Sequence, residues 1–326
     1  MLFLKKEDIE QSFNMRDAID ACKEALKLYS EGKAKVPLRT NIGIDKQAGQ
    51  SLYMPAYVED NEDALGVKIV SVYPNNIEKN IPSVPATMIT LDAETGMVSA
   101  ILDGTYLTQL RTGAVQGAAT EILASEKAII GALIGTGGQA ECQLWAMLTA
   151  RELKEIRIFD IDFTRATEFA KAMEEKYKVT MTACQNVQEC VTDADIITSV
   201  TTSKRPTFSS EWVKEGAHIN GVGAYTPEMC EIPREVIKAA DKVIFDTMDG
   251  VLEEAGDFIQ PLESGYISRD HYEGELGEVV LGKVAGRKSE KDITIFKTVG
   301  SAVLDVYVAN QIVKKAKVNN LGQEIN

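Results

Sequence analysis

The stretch "AIIGALIGTGGQA", residues 128–140, constrains the fold more than any other part of the chain. An apolar run leads into Gly135, Thr136, Gly137, Gly138, Gln139 and Ala140, which read G-x-G-x-x-A. In such a turn the first glycine permits the sharp reversal and the second lets the backbone approach a pyrophosphate. The final small residue keeps helix and strand close. The pattern alone is weak, but its context is complete. "QAECQLWAMLTAREL" follows as a helix, and "EIRIFDID" as a second strand that ends in Asp160. The helix N-terminus then turns free N–H groups toward the phosphates. An acid in the place of Asp160 accepts ribose hydroxyls and repels a 2′-phosphate, so NAD(H) is favoured. Arg165 lies close enough in sequence to keep NADP(H) as the alternative.

The alternation continues. "TRATEFAKAMEEKY" reads as a helix, and "ADIITSVT", "AHINGVGA" and "DKVIFDT" read as strands. Strands alternating with helices imply an α/β domain with a doubly wound parallel sheet of Rossmann type, expected over 121–301. Upstream the text changes character. In "NMRDAIDACKEALKLYSEG" Met15, Ile19, Cys22 and Leu26 recur at helical spacing behind a capping Asn14. "SLYMPAYV", "ALGVKIVSVYP" and "ATMITLDAETGMVSAILDG" are β-branched runs, the last a hairpin about "DAETG". Residues 1–120 are therefore expected to form a second α+β domain with a mainly antiparallel sheet. The C-terminal helix in "TVGSAVLDVYVANQIVKKAK" is long enough to return to it, which adds 302–326. Between the two lies "TYLTQLRTGAVQGAATEILASEKA", a helix dense in small residues that let a backbone or a flat ligand come near.

Composition removes several function classes. With 49 acidic and 35 basic residues the net charge is −14, a surface that repels nucleic acid and anionic membrane. Five scattered cysteines without a C-x-x-C pair fit a reducing cytoplasm. The start "MLFLKKEDIEQ" is too briefly apolar for a signal peptide or a membrane span. Only His218 and His271 are present, and His218 sits in a buried-strand pattern where packing is the simpler role. A histidine-rich zinc site and a Ser-His-Asp hydrolase are thereby disfavoured, and no metal is expected. An enzyme built from this chain works with Lys, Arg, carboxylates and a cofactor. Lys68 is the odd residue. In "LGVKIVSVY" it shares a strand face with Val70 and Val72, so it is either at a sheet edge or desolvated for a purpose.

The chain resembles the ornithine cyclodeaminase/mu-crystallin family over nearly its whole length. The likeness is carried, in order, by "VPLRTNIG", "YMPAY", "GVKIVSVYPNN", "PATMITLD", "LTQLRTGAVQGAAT", "IGTGGQA", "EAGDF" and "FKTVGSAVLD". The resemblance implies a dimer of two-domain subunits with the nicotinamide in the cleft between domains. It makes Arg39 and Arg111 the ligands of a substrate carboxylate and sets Lys68 beside that carboxylate and the amine. It adds Met54 and Val299 to the substrate pocket. It assigns Thr87, Thr112, Gln139, Thr201, Gly223, Tyr225 and Thr298 to the cofactor, together with Gly135, Gly137, Gly138 and Asp160.

One departure decides among activities. The family's cyclodeaminases carry an aspartate two residues after the last glycine of the segment equivalent to "NGVGAYTPEMCE"; here Gly223 and Ala224 are followed by Tyr225. A tyrosine of ordinary pKa is a poor base near neutral pH, and Glu228 reads as a loop acid. Losing that base harms ammonia loss more than a single hydride transfer. The reading is a nicotinamide-dependent reductase of a small cyclic imino acid, of the Δ1-pyrroline-2-carboxylate or Δ1-piperideine-2-carboxylate type, or equivalently an amino-acid dehydrogenase. The alternatives are an ornithine (or lysine) cyclodeaminase using NAD catalytically, and a mu-crystallin-like nucleotide- and ligand-binding protein.

Overall fold

The computed structural model describes residues 1–79 and 81–325. Two compact units emerge, Met1–Arg111 with Ser301–Asn326, and Thr112–Gly300.

In the first unit, β1 (Leu2–Leu4), β2 (Ala34–Lys35), β3 (Thr40–Ile44), β4 (Gly49–Val58), β5 (Ala64–Val72), β6 (Ala86–Leu91) and β7 (Val98–Asp103) form one sheet. Its order is β1-β7-β6-β5-β4-β2, with β3 pairing β4 off that path. Every pairing among β2 to β7 is antiparallel. The short β1, which the sequence did not announce, joins β7 in parallel. Strict alternation buries one face of β4 and β5: Leu52, Met54, Ala56 and Val58, then Ala64, Lys68 and Val70. The helix Met15–Ser30 buries Met15, Ile19, Cys22 and Leu26, as its spacing requires. Asn14 accepts from the Asp17 N–H at 3.0 Å and Asp17 returns the bond, a reciprocal cap. The helix Ala302–Val318 packs on β4, β5 and the helix Met15–Ser30, which explains why it is apolar on nearly every side.

In the second unit, β8 (Ile130–Ile134), β9 (Glu155–Phe159), β10 (Thr180–Ala183), β11 (Ile196–Ser199), β12 (His218–Gly221), β13 (Lys242–Phe245), β14 (Gly274–Glu275) and β15 (Thr294–Lys297) form a sheet. Its order is β10-β9-β8-β11-β12-β15-β13-β14, and all its pairings are parallel. Chain order reverses between β8 and β11, which is where doubly wound sheets hold ligands. Neighbouring strand residues face two separate apolar clusters, Ala132, Ile134 and Ile197 in one and Leu133, Ile156 and Ile196 in the other. That is why these strands read as unbroken apolar runs. His218 lies fully buried in β12, with Nδ1 2.9 Å from Thr294 Oγ1 and Nε2 3.0 Å from Asn220 Oδ1. Burial pushes its pKa down to about 3, so the ring is neutral and serves packing.

Finally β16 (Gln323–Glu324) pairs antiparallel with β1 and extends the first sheet. Among the described residues no helix is long and apolar enough to cross a membrane.

Candidate functional site

Lys68 stands in the middle of the first sheet, directly opposite Met54 on β4 and Met88 on β6. It is 1% exposed, so it is desolvated rather than at a sheet edge. Its Nζ forms an ion pair with Asp305 Oδ2 at 2.7 Å. The other carboxylate oxygen, Oδ1, accepts from Arg111 Nε at 2.8 Å. One buried acid therefore bridges two buried bases. Arg111 Nη1 is also buried, and it has no hydrogen-bond partner among the described residues. A guanidinium edge left dry in this way is costly unless a ligand meets it. Arg39, half-buried just ahead of β3, is close enough to act on Lys68 electrostatically. Lys68 and Arg111, two cations on one buried anion, leave a surplus that suits a carboxylate.

The titration of Lys68 follows from this setting. Burial, aided by the charges of Arg111 and Arg39 and opposed by Asp305, lowers its pKa to about 7. Burial would raise the Asp305 carboxyl, but Arg111 and Lys68 together hold it below its ordinary value. The acid stays ionised while the lysine gives up its proton near neutrality. Met54 joins this cluster as the cross-strand neighbour of Lys68. Thr87 does not. It pairs with Ile69 and is exposed, so it points to the opposite face of the sheet.

The second unit carries the glycine turn. Gly135 has φ +97°, and a Cβ there would sit 2.8 Å from the Val200 carbonyl oxygen and 2.9 Å from Thr201 Cγ2. Only glycine satisfies both the dihedral and the space. A Cβ at Gly137 would meet nothing within 4 Å, so room for a phosphate lies over the turn. Gln139 Oε1 is buried without a hydrogen-bond partner among the described residues. The helix Ala140–Ala150 starts immediately beyond. Turn, free space and helix start together fit a dinucleotide.

Asp160 is not a solvated acid. It is buried, and its carboxylate accepts from Thr136 N at 2.9 Å, Thr136 Oγ1 at 2.7 Å, Asp162 N at 3.0 Å and Arg165 Nη2 at 2.5 Å. Four donors use the capacity of a carboxylate, so a ribose diol would reach Asp160 only in place of one of them. Its role in this structure is to tie the glycine turn to the end of β9.

Two more carboxylates do the same along the carboxyl edge of the sheet, and neither was singled out from the sequence. Glu231 Oε1 accepts from Ser199 Oγ at 2.7 Å, Thr201 N at 2.6 Å and Thr201 Oγ1 at 2.9 Å. Its Oε2 accepts from the N–H groups of Gly223 at 2.6 Å and Ala224 at 2.9 Å. Asp257 steadies Glu231 from behind, taking its N–H at 2.6 Å and pairing with buried Lys297 at 2.9 Å. Asp246 Oδ2 holds Thr298 Oγ1 at 2.5 Å and the Gly300 N–H at 2.9 Å. Thr201, Gly223 and Thr298 are thus fixed at the ends of β11, β12 and β15. Val299, half-buried, donates to Asp246 from the same loop. Thr112 is buried in the helix Gly104–Leu123 next to Arg111. Gly138 is exposed in the turn, Tyr225 is half-buried, and Glu228 is exposed. A signal for Asp305 was available as the lone acid in the apolar run "SAVLDVYVAN". Asp246 ends a strand just as Asp160 does, whereas Asp257 lies in the quoted "EAGDF" and Glu231 closes "NGVGAYTPEMCE", with no local pattern that marks either acid.

Known proteins resemble this arrangement along its full length. A Delta(1)-pyrroline-2-carboxylate reductase from Bacillus cereus is 34% identical over 325 residues, covering 100% of this chain and 99% of the relative. The solved Delta(1)-pyrroline-2-carboxylate reductase of Thermococcus litoralis, in complex with NADH and L-proline, is 38% identical with a TM-score of 0.95, covering 100% of both chains. An archaeal alanine dehydrogenase dimer with bound NAD is 33% identical with a TM-score of 0.92, covering 100% of this chain and 99% of the other. The pattern of one family runs over residues 1–320, and on these grounds the chain belongs to the ornithine cyclodeaminase/mu-crystallin family.

Proposed function

We propose that the chain is an NADH-dependent reductase of a small cyclic imino acid, with Δ1-pyrroline-2-carboxylate as the type substrate. The buried cluster of Lys68, Asp305 and Arg111 carries this reading. Its surplus positive charge asks for a carboxylate, and its lysine holds a proton that is labile near neutrality. When bound, NADH supplies the hydride that reduces the imine carbon. The chain does the rest. Arg111 offers the unbonded Nη1 to the substrate carboxylate, and Arg39 adds a second guanidinium. That grip orients the α-carbon. Lys68 gives its proton to the imine nitrogen as the bond order falls, and recovers one from solvent after release. Met54 and Met88 flank Lys68 and keep water from solvating it.

Cofactor selection rests on the second unit. Gly137 is an open point of the glycine turn. Replacing Gly137 by Ala adds a methyl group that touches no protein atom within 4 Å. We expect an unchanged thermal midpoint and an NADH affinity lowered by at least about tenfold, from a lost phosphate approach of about 1.4 kcal/mol or more. Fluorescence titration with NADH beside a melting curve checks both. Equal affinity in the variant would remove the pyrophosphate from this turn.

The cyclodeaminase reading lacks its base. By the resemblance Tyr225 replaces the family's aspartate, and Glu231, the buried acid that holds this loop, already accepts from five donors. We therefore expect one-for-one NADH oxidation with Δ1-pyrroline-2-carboxylate and no ammonia from L-ornithine. Ammonia with no net change in NADH would sink the reductase reading.

Homodimer formation is part of the proposal. Leu38, Ile42, Ile77, Ile81 and Val84 are exposed apolar residues of the first unit, each suited to burial against a second copy. Five free cysteines support a reducing, cytoplasmic setting.

A further inference from the structure

We infer that Asp305 is a positioning residue of the reaction, whose carboxylate keeps Lys68 loaded with its proton and turns the unbonded edge of Arg111 toward the substrate carboxylate. The chemistry rests on the reductase reading; the binding test below does not.

The geometry is a bridge. Asp305 Oδ2 lies 2.7 Å from Lys68 Nζ and Oδ1 lies 2.8 Å from Arg111 Nε. The acid sits in the first turn of the helix Ala302–Val318, where the helix dipole favours an anion. The charged and titratable groups facing Lys68 come from several elements. Arg111 belongs to the helix Gly104–Leu123 and Arg39 to the segment ahead of β3, and both are cations. Cys22, on the helix Met15–Ser30, lies with Sγ 3.7 Å from the Arg111 carbonyl oxygen. Its thiol is pushed up by burial and stays neutral. The neighbouring strands offer only Met54 and Met88. Asp305 is therefore the one anion in this set among the described residues. Without it, a buried ammonium faces two cations and gives up its proton at a lower pH than in the parent. By occupying Arg111 Nε, the same carboxylate fixes the plane of the guanidinium. Nη1 is left as the donor that a ligand can reach, which is where the buried atom without a partner is found.

A purely structural bridge and this role differ in one readout. Pyrrole-2-carboxylate is a planar carboxylate that the enzyme cannot reduce as an imine, and its affinity can be followed by calorimetry against pH. In the parent protein, binding should weaken as pH rises through about 7, as Lys68 discharges. In Asp305→Asn that midpoint should move down by about one pH unit or more, the effect of removing an opposite charge at this distance. Affinity below both midpoints should stay within a few-fold. Lys68→Met should abolish the pH dependence. If Asp305→Asn does not fold, Asp305→Ser takes its place in the same titration. A midpoint that stays near 7 in the neutral variant, or a dependence that persists in Lys68→Met, overturns the inference. Failure to reduce any cyclic imine would instead overturn the reductase reading, and the binding midpoints would still decide the role of Asp305.

Discussion

Lys68→Met lowers kcat for imine reduction by roughly two to four orders of magnitude, the usual worth of a positioned proton donor. Methionine matches the length and the apolar stem of the lysine, and Asp305 keeps Arg111 as a partner. NADH affinity should be unchanged, because Lys68 lies outside the glycine turn proposed for the pyrophosphate. The pH profile carries the sign. In the proposed mechanism Lys68 must be protonated to act, so the parent kcat/KM should be highest below about pH 7 and fall as pH rises through that value. In Lys68→Met the alkaline limb should vanish and the residual rate should be flat across it. A variant that retains both its rate and the limb would remove Lys68 from proton transfer.

Arg111→Ala has the other large effect, and it should appear in a different constant. Removing one partner of a buried charge pair costs about 3–5 kcal/mol, and in the proposed mechanism the lost group also holds the substrate carboxylate. We expect kcat/KM to fall by roughly two to three orders of magnitude, mostly through KM. Arg111→Lys should recover little of this, since an ammonium cannot bond Asp305 and a carboxylate with one rigid fork. Steady-state kinetics with varied imine decides it. An unaltered KM in Arg111→Ala would end the account of the carboxylate grip.

The legible parts of this chain were those with local physical signatures. The glycine turn, the alternation in β4 and β5 and the buried runs of the parallel strands each depend on a few consecutive residues. Lys68 stood out because an ammonium at an apolar alternation is an expensive choice. The bridge itself was hidden. Asp305 lies more than two hundred residues from Lys68 in sequence, and nothing in local spacing says that two helices and a strand converge. β1 was missed for a related reason: three residues whose partner β7 lies about a hundred positions away carry no periodicity to read. Asp160 was recognised as special, but by its place at a strand end. The donors from Thr136 and Arg165 that fill its carboxylate belong to tertiary packing. Glu231 and Asp257 follow the same rule, since their work is to join loops that only the folded sheet brings side by side.

The most direct measurement uses NADH carrying deuterium at the transferable C4 position, Δ1-pyrroline-2-carboxylate and the purified protein. The account predicts proline with one deuterium at Cα for each NADH consumed, together with no ammonia from L-ornithine. Proline without label, or ammonia released from ornithine while NADH stays constant, would contradict it.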